Sequence, residues 1–127
     1  MDSISVAVVG FGLGGAAFHA PLIDVTPGLT LSAIVTSNPD RQEAARKRYS
    51  GVQAVPTVDD LLASGDDLDL AVVTVPNAAH VAVAETFLRA GVSVVIDKPV
   101  APTFAEGQHL ANLAEELSLR VIPYLNR

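Results

Sequence analysis

A chain of 127 residues, half of them apolar, has the length and the composition for one ordinary domain with a real core. Eight basic residues against fourteen acidic ones leave a formal charge of -6, which argues against nucleic acid or an anionic membrane as a partner, since both select clustered lysine and arginine. With no cysteine there is neither a disulfide framework nor a thiolate metal site, and no apolar run approaches the length of a membrane span. The start, Met1-Asp2-Ser3, has no basic leader region, so the expectation is a soluble, cytoplasmic protein whose ligands are small molecules.

Ile4 to Val9 is a short β-branched run that stops at Gly10. The segment after it is rich in small residues and uncharged until Asp24, which predicts strand, tight turn and helix. Leu29 to Val35 is a second apolar run, followed by Ser37-Asn38-Pro39, a helix cap with proline at the first helical position, and then by the polar helix-forming stretch Asp40 to Tyr49. A weaker third run, Val52 to Val55, leads to Thr57, which with Asp60 forms a capping-box variant over a short helix through Leu61 and Leu62. Leu68 to Val75 predicts a strong strand. Pro76-Asn77 then opens a helix with Val81, Ala84 and Leu88 on one face, and Gly91 ends it. Val92 to Ile96 is a continuous apolar strand; Thr103 and Glu106 form another capping box; Leu110, Leu113, Ala114 and Leu117 make a helical stripe; Arg120 to Leu125 is a last strand.

Strands apolar on both faces and separated by helices predict a Rossmann-type α/β fold: a doubly wound parallel sheet of about six strands with helices on both faces. Ligands of such sheets sit beyond the carboxyl ends of the strands, so the residues that matter are those where strands end.

Gly10-Phe11-Gly12-Leu13-Gly14-Gly15 is a G-x-G-x-x-G directly after the first strand. The glycines permit a tight turn, a bare backbone under a pyrophosphate and close contact between strand and helix, while helix-terminal N–H groups hold the anion. Phe11 and Leu13 fit packing or the cofactor's edge. After the second strand, about 20 residues past Gly15, the acidic residue that would hold the ribose 2′-hydroxyl of NAD is missing. Thr36, Ser37 and Asn38 stand there instead, with Arg41 close by. A hydroxyl and a guanidinium suit a 2′-phosphate that an acid would repel, so NADP(H) is favoured over NAD(H). The plainer alternative makes Ser37 a helix cap and Arg41 a solvated helix residue.

Val75-Pro76-Asn77 ends the fourth strand; Asn77 is placed to meet a ribose or phosphate or to cap the helix, two compatible roles, and His80 either faces the cofactor or is a structural histidine satisfied by nearby backbone. Asp97-Lys98-Pro99 follows the fifth strand. A lysine there could hold a substrate hydroxyl and stabilise charge developing on its oxygen, with Asp97 steadying it or bonding the nicotinamide ribose; the alternative is a surface lysine before a turn proline. His19, His80 and His109 are too dispersed for a metal site, His19 reading as a packed structural residue and His109 as a surface one.

The set formed by Gly10 to Gly15, Phe18-His19-Ala20-Pro21-Leu22-Ile23, Val75-Pro76-Asn77 with His80, Ala90-Gly91, and Asp97-Lys98-Pro99 with Thr103 resembles the N-terminal domain of the Gfo/Idh/MocA oxidoreductases over essentially the whole chain. The family pattern has Glu-Lys-Pro where this chain has Asp97-Lys98-Pro99, a carboxylate one methylene shorter. The resemblance implies that residues 1–127 are a dinucleotide-binding domain, that Lys98 is catalytic with the Lys98-Pro99 peptide a candidate cis bond, and that hydride passes between nicotinamide and a sugar, cyclitol or similar hydroxyl. It also implies a C-terminal substrate domain beginning near residues 125–127, which carries the remaining acid-base groups and the homo-oligomer contacts, so this chain alone is expected to bind cofactor without turnover. A non-catalytic nicotinamide-binding regulatory or assembly protein is the alternative.

Overall fold

In the computed structural model, residues 3–10, 20–64, 67–74, 80–97 and 104–124 are described. They alternate strand and helix: β1 (Ile4–Val9), α1 (Ala20–Val25), β2 (Leu29–Val35), α2 (Pro39–Arg48), β3 (Gln53–Val55), α3 (Val58–Ala63), β4 (Leu70–Val73), α4 (His80–Arg89), β5 (Ser93–Asp97), α5 (Phe104–Glu116) and β6 (Val121–Tyr124). Each strand lies within the apolar run that predicts it, except that β5 runs one residue further, to Asp97. β4 starts later than Leu68 because the Asp69 carboxylate, rather than a backbone carbonyl, takes the Ser5 N–H at 2.8 Å, so the regular ladder begins only at Leu70.

All pairings are parallel and the strand order is β3-β2-β1-β4-β5-β6. The pleat sends alternate residues to two cores. Ala7, Val9, Ala71, Val73, Val94 and Ile96 pack with Leu61 of α3, Phe87 and Leu88 of α4, and Leu110 of α5. Val6, Val8 and Val72 pack with Ala20 and Ile23 of α1 and with Ala45 of α2. The β1–β2 register slips between Val6 and Ala7, leaving Ser32 as the extra residue. That bulge lets Leu31 and Ile34, an odd and an even position, share one face.

The cap at α2 falls within the segment the sequence suggests, and at α3 the Thr57 half of the capping box is present. Asn38 Oδ1 accepts from the amides of Asp40 and Arg41, with Pro39 at the first helical position, and Thr57 Oγ1 accepts from Asp60 N at 3.0 Å. Thr57→Ala is expected to lower stability by about 1 kcal/mol, read as a shift in denaturation midpoint with an unchanged slope; a shift indistinguishable from zero would mean that α3 is held by the burial of Leu61 alone. Leu117 departs from expectation: α5 ends at Glu116, Ser118 turns to φ 58°, and Leu119 N closes on Ala114 O at 2.8 Å, so Leu117 lies past the stripe and is 43% exposed. His109 is on the surface as expected. Its Nε2 lies 3.3 Å from Glu85 Oε2, and Arg89 also bonds this carboxylate; the two hydrogen bonds, Arg89's first, hold the Glu85 carboxyl below its ordinary range.

Candidate functional site

A strand order that runs outward from β1 on one side and from β4 on the other creates one position where successive helices leave the sheet in opposite directions. The two cores show it directly. After β1 the chain enters the core containing Ala20 and Ile23; after β4 it enters the opposite core, through Ala84 and Phe87. The carboxyl ends of β1 and β4 therefore border a crevice, and the residues at its floor are Gly10 and Thr74.

Gly10 is held on three sides. Its amide donates to Val35 O at 2.7 Å, Thr74 N donates to Val9 O at 2.9 Å, and the Thr74 hydroxyl shares its proton between Val9 O and Gly10 O at 2.8 and 2.9 Å. Its φ is +95°, and a Cβ at this position would meet Thr74 Oγ1 at 2.7 Å. Only glycine satisfies both the dihedral and the contact. The first glycine of the motif is thus required by the strand-to-turn geometry itself, which is what a turn bringing backbone amides beneath a pyrophosphate needs.

One strand away, β2 ends in the turn Thr36-Ser37-Asn38. Thr36 is buried. Its amide donates to Val55 O at 2.9 Å, its carbonyl accepts from Gln42 Nε2 at 2.8 Å, and its hydroxyl oxygen accepts from Asn38 N at 3.4 Å. The Asn38 side chain is engaged as the α2 cap. Ser37 is exposed and is not the cap, and Arg41 is exposed in the first turn of α2 with no ion pair among the described residues. The turn offers outward the Ser37 hydroxyl, with no carboxylate at the strand end itself, and the first turn of α2 adds the exposed Arg41 guanidinium beside the exposed Asp40 carboxylate.

A family model described as oxidoreductase family, NAD-binding Rossmann fold, matches residues 4–125. The chain belongs to the Gfo/Idh/MocA family. It is 32% identical over its whole length to the scyllo-inositol 2-dehydrogenase (NADP(+)) IolW of Bacillus subtilis, of which it spans 34%. A 3-ketoreductase from Actinomadura kijaniata, solved with TDP-benzene and NADP, superposes with a TM-score of 0.89 at 26% identity, covering 96% of this chain and 37% of that one. GenD2 from gentamicin A biosynthesis, solved with NAD, gives 0.88 at 28% identity, with 97% and 34% covered. This chain thus spans about a third of the length of these relatives, and it is a nicotinamide-dinucleotide-binding domain of an oxidoreductase family.

Of the other sequence-predicted positions, Phe11, Gly12, Leu13, Gly14, Gly15, Val75, Pro76, Asn77, Lys98 and Pro99 lie outside the described residues. Asp97 closes β5, paired with Tyr124 of β6, and so ends at the same edge of the sheet as Gly10 and Thr36. His80 opens α4 with 1% of its surface exposed and has a partner within the chain, which favours the structural role over a ligand-facing one. Two residues escaped the sequence reading. Thr74 carried a faint signal as the polar residue near the end of an apolar strand; Gln42 carried none, since its role depends on a side chain reaching back six residues. Among the described residues no group of three or more His, Asp or Glu side chains is placed to hold a metal, and no helix is long and apolar enough to cross a membrane.

Proposed function

We propose that the chain is the cofactor-carrying domain of an enzyme that moves hydride between a nicotinamide dinucleotide and a sugar, cyclitol or similar hydroxyl substrate. The observation that carries this reading is the crevice between β1 and β4 with Gly10 at its floor. The relatives add the substrate class: one is named for an inositol, and another is a ketoreductase solved with a TDP ligand. Residues 1–127 form one domain, and the pocket that selects the substrate belongs to sequence beyond residues 125–127. In the bound state, Gly10 to Gly15 cradle the pyrophosphate, Ser37 and Arg41 meet the adenosine ribose, Asn77 and Asp97 approach the nicotinamide end, and Lys98 faces the reacting hydroxyl. The nicotinamide supplies or accepts the hydride. Lys98 holds the substrate oxygen and stabilises its negative charge.

Relatives carry both cofactors, so the preference rests on the β2–α2 turn, and that turn supports NADP(H). Fluorescence titration of the intact protein is expected to give tighter binding of NADPH than of NADH. Arg41→Ala is expected to weaken NADPH about tenfold, the loss of one charge-assisted contact, while leaving NADH nearly unchanged. Tighter NADH binding by the unmodified protein would overturn the cofactor assignment and leave the hydride-transfer reading standing.

A further inference from the structure

The turn that faces the adenosine ribose in the proposed function is fixed by a residue that does not itself face the ribose. Thr36 has three polar groups and the fold engages all of them: the amide with β3, the hydroxyl oxygen with the turn's own Asn38 amide, and the carbonyl with Gln42. The first two bonds tie Thr36 to the sheet and to its neighbour. The third is different in kind, because it joins the end of β2 to the second turn of α2.

Gln42 follows Arg41 on the same helix, and its own amide bonds Asn38 O at 3.0 Å. A half-buried amide side chain therefore locks the strand end to the helix that presents Arg41, with Ser37 at the tip of the closed loop. This link, together with the Asn38 cap on the Arg41 amide, fixes the backbone from which Ser37 and Arg41 project. Without the donor, the Thr36 carbonyl must find water or shift, since a buried acceptor is costly to leave unmade. Either change moves the turn relative to α2.

We infer that Gln42 is a positioning residue for cofactor discrimination: its side-chain amide, bonded to the Thr36 carbonyl, holds the β2–α2 turn in the one arrangement that distinguishes a 2′-phosphate from a 2′-hydroxyl. This rests on the reading that the turn meets the adenosine ribose. It adds a residue whose effect passes entirely through backbone geometry.

The test uses Gln42→Met, which keeps the length and loses the donor, with Gln42→Ala as a second variant should the first fold poorly. NADPH and NADH dissociation constants are measured on the intact protein for each variant, for Arg41→Ala and for Arg41→Ala/Gln42→Met. The ratio of the two constants is expected to change about fivefold to tenfold in Gln42→Met, the size of one lost hydrogen bond, whereas general damage to the fold would weaken both cofactors alike. The double variant is expected to discriminate no worse than Arg41→Ala, because both substitutions disable one device. An unchanged ratio in both Gln42 variants, or losses that add fully in the double variant, would overturn the inference. The direction of preference in the unmodified protein is a separate result: a protein that favours NADH but whose ratio still moves with Gln42 refutes the NADP(H) assignment and retains the positioning role.

Discussion

Gly10→Ala is expected to weaken dinucleotide binding by up to about a hundredfold, measured by NADPH fluorescence titration, because two independent penalties fall on one methyl group. The first is conformational. A φ of +95° lies where L side chains are strained, at a cost of about 1–3 kcal/mol. The second is steric: the new Cβ would stand 2.7 Å from Thr74 Oγ1 and 3.3 Å from the Thr74 carbonyl group. Thr74 cannot swing aside freely, since its hydroxyl is shared between Val9 O and Gly10 O and its amide is bonded to Val9 O. The strain is relieved only by parting the ends of β1 and β4, the two strands whose divergence makes the crevice. A second substitution separates the penalties. Thr74→Ala removes the hydroxyl that meets the new methyl, so the double variant should recover part of the affinity and leave the dihedral cost in place. Gly10→Ala with near-normal affinity would mean that the dinucleotide does not depend on this junction.

The strands were readable because a parallel sheet covered on both sides leaves a signature that survives in single-sequence form, short β-branched runs without polar alternation. The caps were readable in part. Asn38 and Thr57 are local devices whose partners lie two or three residues away, and that range is where side-chain chemistry and spacing decide the outcome. Between Ser37 and Asn38 the pattern alone left the cap open; the observed choice of Asn38 frees Ser37 for the exterior. What did not show is set by contacts over long separations. Thr74 supports Gly10 from 64 residues away, and no periodicity encodes which strand end will stand beside which. The bulge at Ser32 and the left-handed Ser118 are similar, since each is imposed by register or chain reversal rather than by the residue's own preference.

For the site the rule about strand ends went further than any motif. It selects the ends of β1, β2, β4 and β5, and the parallel pairing of the strands brings those ends to one edge. The rule identifies positions, however, and not the bonds that hold them. Gln42 lies beyond any strand end, and its importance comes only from the Thr36 carbonyl it reaches. His80 shows the opposite case, a residue at the right address whose burial favours a supporting role.

Lys98→Met is expected to lower kcat of the intact enzyme by roughly 10²- to 10⁴-fold at saturating cofactor and substrate, with the cofactor dissociation constant little changed. Lys98 comes immediately after Asp97, the last residue of β5, and β5 is paired in register with β4, Val73 opposite Ile96. The carboxyl end of β5 is therefore one strand from Thr74 and two from Gly10, on the nicotinamide side of the crevice if the pyrophosphate lies over the first glycines. On the proposed function, the Lys98 ammonium acts on the reaction rather than on binding, because its attraction to the substrate oxygen would grow as that oxygen gains negative charge during hydride transfer. Methionine keeps much of the stem and removes the charge and the donors. Lys98→Arg tests geometry separately: it restores the charge but offers it through a planar fork, so rescue should be slight where a single directed proton is needed. The measurement is steady-state oxidation of a polyol and sugar panel with the preferred nicotinamide cofactor. A kcat within a few-fold of the unmodified enzyme, at unchanged cofactor affinity, would return Lys98 to the role of an exposed lysine before a turn proline.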